Sequence, residues 1–217
     1  MVTLRPLLFL ILTLCSFGAR ANFDFNPNCI NAYQNILSLK LNKARALISA
    51  EKKRNSENSI PYLLDNYVDY FTLLTTENKV DFEWLKSNKA SRLARMEEDD
   101  KSSPYYLFAQ AEINLQWALT RGRFQEYFTS AIEINRAFNL LLENNKKFPS
   151  FLPNQKNLGM INAILGSVPD GMRKAMSAFG IRGNTVAGLK MLENLVVKLP
   201  QSPYAHFYDE TVFCLAF

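Results

Sequence analysis

The sequence predicts an all-α fold of antiparallel helical hairpins stacked as a short α-solenoid. A three-residue signature, Ser-Pro-Tyr or close to it, recurs at Ile60-Pro61-Tyr62, Ser103-Pro104-Tyr105 and Ser202-Pro203-Tyr204. The spacings are 43 and 99 residues, the second about two periods. Each copy opens an apolar run with helical spacing, and a long internal period is the signature of stacked supersecondary units. β-branched residues never cluster with period two, so no sheet is expected.

In order along the chain, Ile30, Tyr33, Leu37, Leu41, Ala44 and Ile48 fall on one helical stripe, with Lys40, Lys43, Lys52 and Lys53 mostly on other faces. The polar stretch Arg54 to Ser59 ends that helix. A second helix starts near Pro61 and buries Leu64, Tyr67, Val68, Phe71 and Leu74. A third, polar in its middle, carries Phe82, Leu85, Leu93 and Met96. Ser103 is the expected N-cap of a fourth, with Pro104 in its first turn. The hydroxyl satisfies a free amide there, and proline has none to leave unpaired. Its stripe is Phe108, Ala111, Leu115 and Ala118, and Gly122 punctuates. A fifth, from Phe124 to before Pro149, completes the best-formed hairpin, Pro104 to Lys147. Leu158 to Leu165 reads as a short helix, Leu189 to Val197 as another, and Ser202-Pro203 opens the last. The chain stops on an apolar stretch of that helix, where a repeat array normally carries a polar cap. Either the product is truncated there, or the helix packs back as a cap.

Residues 1–21 read as a signal peptide. Arg5 supplies the basic end, Leu7 to Leu14 the apolar core, and Ala19-Arg20-Ala21 the cleavage site. Residues 22–217 then form a single helical domain. Export to a bacterial periplasm or outer envelope is expected, because 21 asparagines include no Asn-x-Ser/Thr sequon. Removing Arg5 and Arg20 leaves 23 basic and 20 acidic residues. So mild an excess, with no basic stripe interleaved with aromatics, is no nucleic-acid footprint. Of the mature cysteines, Cys29 and Cys214, no bridge is expected, since an extended solenoid holds its ends apart.

Chemistry finds little purchase. His206 is the one imidazole, and no nucleophile is marked near it. Glu97-Glu98-Asp99-Asp100 lacks the glycine and alternating spacing of a calcium loop. Asp209 and Glu210, adjacent on a helix, diverge. No phosphate-binding glycine loop occurs, so no cofactor or metal is expected. Envelope-polymer hydrolysis would need two converging carboxylates, with Glu112 and Glu126 the ones to mutate.

Ala111, Gly122, Tyr127, Ala131, Phe138 and Pro149, on paired amphipathic helices, make the chain similar to tetratricopeptide-type repeats of bacterial secreted proteins. Its period of 43 to about 50 residues departs from the usual 34, and the tryptophan and Leu-Gly positions are not cleanly matched. The resemblance implies binding of an envelope protein or peptide by a concave surface, without catalysis. Tyr105, Tyr106, Trp117 and Arg121, on the best hairpin, are the first candidates for that contact. The glycine-rich segment 166–188 adds Met172, Met176 and Phe179, which either dock a partner or membrane surface or fold back over the core. The alternative function is a transport-system component holding a small molecule within the array, which requires inward-facing Trp84, Trp117 and arginines around a cavity.

Overall fold

The computed structural model describes residues 23–165, 170–178, 180 and 183–216. Among them the chain forms eleven α-helices and no strand. They are α1 (Pro27–Leu37), α2 (Leu41–Arg54), α3 (Ile60–Thr76), α4 (Lys79–Leu85), α5 (Asn88–Glu97), α6 (Pro104–Arg123), α7 (Tyr127–Lys147), α8 (Pro153–Ile164), α9 (Asp170–Ala178), α10 (Thr185–Lys198) and α11 (Tyr208–Ala216). No helix among the described residues is long and apolar enough to cross a membrane. Residues 1–21, read above as a signal peptide, and Phe179 lie outside the described residues.

Proline sets the frame. Pro27, Pro61, Pro104 and Pro153 each sit in the first turn of a helix, where a missing N–H is harmless. Pro203 has a related role, preceding α11 by a single 3-10 turn. The expected cap is present: Ser103 Oγ accepts from the Tyr105 amide at 3.2 Å. At the fifth proline, Ser202 Oγ accepts likewise from Tyr204 at 3.1 Å.

Two expected helices are each divided. The stripe from Ile30 to Ile48 breaks into α1 and α2, because the backbone turns left-handed at Leu39, φ 57°. The third helix divides into α4 and α5 around Lys86 and Ser87. Neither break carries glycine or proline, so the apolar stripe runs through both without a signal. The α6–α7 hairpin forms as expected, the pair turning over Phe124 to Glu126 with Gln125 at φ 65°.

Consecutive proline-initiated helices α1, α3, α6 and α8 lie against one another, and α8 lies against α11. Unlike an extended solenoid, the run closes on itself. Phe25, just before α1, stacks on His206 with ring centroids 4.4 Å apart and meets Phe207 edge-on at 5.5 Å. Cys29 and Cys214 are free, as expected, but not because the ends are apart. Each has its own neighbour: Asn58 Nδ2 lies 3.7 Å from the Cys29 sulfur, and Met160 Sδ 3.6 Å from that of Cys214.

The centre of this closed arrangement is α6, buried without interruption from Leu107 to Ala118. Phe108, Ala111, Leu115 and Ala118 do face the core, but so do Gln110, Glu112, Asn114 and Gln116. A helix wrapped on all sides must satisfy those polar groups internally: Gln110 and Asn114 donate to carbonyls of α6 itself, and the partners of Glu112 and Gln116 define the most unusual region of the molecule.

Candidate functional site

Helical spacing and the proline frame bring the polar residues together. Tyr33 and Tyr67 each lie six residues beyond the proline that starts their helix, and their rings meet edge to face at 5.3 Å. Glu112 and Gln116 are one turn apart on α6. Lys156 and Asn157 come from the first turn of α8, and Glu210 from the first turn of α11.

Lys156 is fully buried, at 0 % exposure, between two carboxylates. Its Nζ lies 3.1 Å from Glu112 Oε2 and 2.6 Å from Glu210 Oε2, and it donates to the Tyr67 hydroxyl at 3.2 Å. The Tyr33 hydroxyl bonds Glu210, and Tyr67 Oη lies 3.2 Å from the same carboxylate. Burial alone would lower the Lys156 pKa, but Glu112 and Glu210 outweigh it and hold the ammonium above the ordinary lysine range. Burial lifts both tyrosines well above theirs, with the neighbouring carboxylates adding to the shift.

A chain of amides extends from Glu112 toward α5. Arg92 Nη1 and the Trp117 indole N–H both donate to Asn66 Oδ1, at 3.1 and 2.8 Å. Arginine and indole nitrogens have no acceptor capacity, so they fix the orientation of Asn66. Its Nδ2 therefore donates to Gln116 Oε1 at 2.8 Å, and Gln116 Nε2 donates to Glu112 Oε1 at 3.0 Å. Asn157 Nδ2 adds a further donor to Glu112 Oε2 at 2.6 Å. At the far end, Arg92 is paired with Asp69 at 2.5 Å, which Asn88 also bonds. The network thus ties α1, α3, α5, α6, α8 and α11 through one connected set of buried polar groups.

An aromatic layer covers one side. Tyr105 packs against Phe151 at 4.9 Å and Phe25 at 6.1 Å, and Phe151 packs against Tyr204 at 5.1 Å. Tyrosines beside the repeat prolines therefore serve packing at this end. Their hydroxyls follow: burial pushes Tyr105 up, and Tyr204 more weakly.

The candidates from the hairpin and the glycine-rich segment are dispersed rather than gathered. Tyr105 is held in the aromatic layer, and Tyr106 is half-buried against the core. Trp117 is buried, 2 % exposed, with its indole committed to Asn66, so it belongs to the interior and not to a surface. Arg121 is paired with Glu126 and with Glu133, the latter at 3.0 Å, and Glu133 also takes Lys89 at 2.6 Å. Met176 is buried at 1 %, which favours folding back over the core. Met172 lies on α9, a helix packed against α7. The cavity that would join Trp84 to Trp117 is not formed, since Trp84 points outward and Trp117 inward.

Sequence reasoning passed over Lys156 and Asn66, and took Glu210 only as diverging from Asp209, which it does: Asp209 is exposed and Glu210 buried. A usable signal existed in Pro27…Tyr33 and Pro61…Tyr67, two tyrosines at equal offset from a helix-starting proline. Two carboxylates do converge, Glu112 and Glu210, but on a lysine sealed from solvent. Among the described residues no group of His, Cys, Asp and Glu is arranged to hold a metal. A small open depression lies elsewhere, between α3 and α6, lined by Tyr70, Leu73, Leu74, Leu119, Arg123 and Phe124.

Replacing Trp117 by Phe removes one of the two donors on Asn66 while Arg92 retains the other. The expected loss is about 1 kcal/mol, the net worth of one buried hydrogen bond, read as a lower urea midpoint with an unchanged slope.

No family model matches the chain, and no curated protein or solved structure matches it.

Proposed function

We propose that the chain is an exported helical-repeat scaffold, related in architecture to tetratricopeptide-type solenoids, that binds a protein or peptide of the bacterial envelope through its outer rim. The supporting observation is Trp84, 74 % exposed on α4, with Val80 one turn before it at 76 %. Both side chains stand on the solvent face while Phe82 and Leu85 of the same short helix are buried. A large exposed aromatic beside an aliphatic neighbour is the composition of an interface anchor, and Lys79 and Glu83 provide a polar rim. The interior is filled by Lys156 and its partners, so the contact belongs on the outside rather than on a concave inner groove. Export rests on the pattern of residues 1–21.

A photo-crosslinking residue placed at position 84, and at exposed Lys53 as control, tests the reading in an envelope fraction. One dominant adduct at 84 and none at 53 is expected. Equal adducts at both positions, or none at either, would remove α4 as the binding element.

A further inference from the structure

One buried cation, Lys156, faces two buried carboxylates, Glu112 and Glu210, in a space without solvent. If both are ionised, the cluster holds an uncompensated negative charge in a low-dielectric interior, which is strongly unfavourable. A proton on one carboxylate removes it. The hydrogen-bond directions identify which one.

Glu112 Oε1 receives a donor that cannot reverse. Arg92 and Trp117 fix Asn66, Asn66 fixes Gln116, and Gln116 presents its N–H to Glu112 at 3.0 Å. Asn157 Nδ2 and Lys156 donate to its Oε2, at 2.6 and 3.1 Å. Three donors reach Glu112 in this arrangement, and a proton on it would displace one of them. Besides Lys156, Glu210 meets the hydroxyls of Tyr33 and Tyr67, and a hydroxyl accepts as readily as it donates.

We infer that Glu210 is a proton-binding site, protonated when α11 is docked, so that closure of α11 onto α1, α3 and α8 takes up one proton from solution. The carboxylic O–H then donates to a tyrosine oxygen, and the carbonyl oxygen still accepts from Lys156.

The surroundings are compatible with this assignment. Titratable groups facing Glu210 are Tyr33 from α1, Tyr67 and Tyr70 from α3, Glu112 from α6, Lys156 from α8 and Cys214 from α11 itself. On α10, which also packs against α11, Lys190, Glu193 and Lys198 are exposed. Burial is the largest influence on Glu210 and raises its pKa against the pull of Lys156. Burial also raises Tyr33, Tyr67 and Tyr70, and lifts Cys214 to about 12, so these stay protonated in the fold at neutral pH.

A raised carboxyl contributes stability that is fully present below its unfolded value and is lost as pH rises through its folded value. His206, lowered to about 4 by burial, acts oppositely: its contribution is present above its unfolded value and is lost as pH falls toward 4. Comparison with Glu210→Gln cancels His206, because both proteins share it.

Urea unfolding of the mature chain and of E210Q between pH 5 and 8 is the test. The unfolding constant of the wild type, relative to E210Q, should rise with pH by up to tenfold per unit, the slope of one bound proton. Parallel curves over the whole range would overturn the inference. At pH 7, E210Q should fold, since a neutral amide replaces a neutral acid. Glu112→Gln, which sets an N–H against donors, should weaken folding on the order of a hundredfold. Failure of E210Q to fold while E112Q does would reverse the assignment and overturn it. Independently of any folding measurement, infrared difference spectra at pH 7 should show a protonated-carboxyl C=O band in the wild type. Its absence would also overturn the inference.

Discussion

Lys156→Met is expected to lose most of the fold's stability. The methionine fits the space left by the lysine stem, but Glu112 and Glu210 are then buried with no cation between them. Removing one partner of a buried ion pair typically costs about 3–5 kcal/mol, against a total of roughly 5–15 kcal/mol for a domain. Urea denaturation followed by far-ultraviolet circular dichroism should show a midpoint much reduced, or no folded baseline. Adding Glu112→Gln to the same chain should restore some of the loss, because the charge that needed the lysine is gone. A K156M protein with the wild-type midpoint would mean that the cluster contributes nothing to the fold.

Gly188→Ala carries the second large effect, by a different route. Gly188 on α10 lies directly against α8: a methyl group there would run into the Ala163 amide nitrogen and stand 2.6 Å from the Gly159 carbonyl oxygen. Both obstacles are backbone, so no rotamer change makes room. Gly159 completes the close approach from the other side, where an added Cβ would stand 3.0 Å from the Leu192 side chain. Overpacking of this kind costs about 1–3 kcal/mol, and rigid backbone on the receiving side points to the upper end. The helix-propensity gain of alanine over glycine, about 1 kcal/mol, is too small to compensate. A drop in thermal midpoint for G188A, with Lys190→Ala on the exposed face of α10 unchanged, would confirm that the crossing and not the helix is at fault. An unchanged G188A midpoint would show that the two helices separate freely.

Much of the helical framework was legible because its signals are local. Ser103 and Pro104 announce α6 by the chemistry of a free amide, and the α6–α7 hairpin follows from apolar periodicity. The breaks at Leu39 and at Lys86 were not legible: a left-handed leucine has no sequence mark of the kind glycine supplies. The buried network was hidden for a different reason. Gln110, Glu112, Asn114 and Gln116 sit on alternate residues of an otherwise apolar helix, and periodicity assigns such residues to solvent. Only the packing of α3, α5, α7 and α8 around α6 turns them inward, and those contacts are tertiary. Lys156, one turn into a polar-looking helix start, is the clearest case. Its partner Glu210 lies 54 residues further along, beyond the reach of any local pattern.

That separation also governs how the molecule is made. Tyr33 and Glu210 are 177 residues apart in sequence, and contacts of such range delay folding because a long loop must close before it yields anything. On the ribosome, α1 through α8 emerge with Lys156 missing its Glu210 partner and with Tyr33 and Tyr67 uncovered. The final docking step therefore waits for residue 210 to be synthesised. Until then the nascent chain holds an incomplete core, a state that a chaperone can grip.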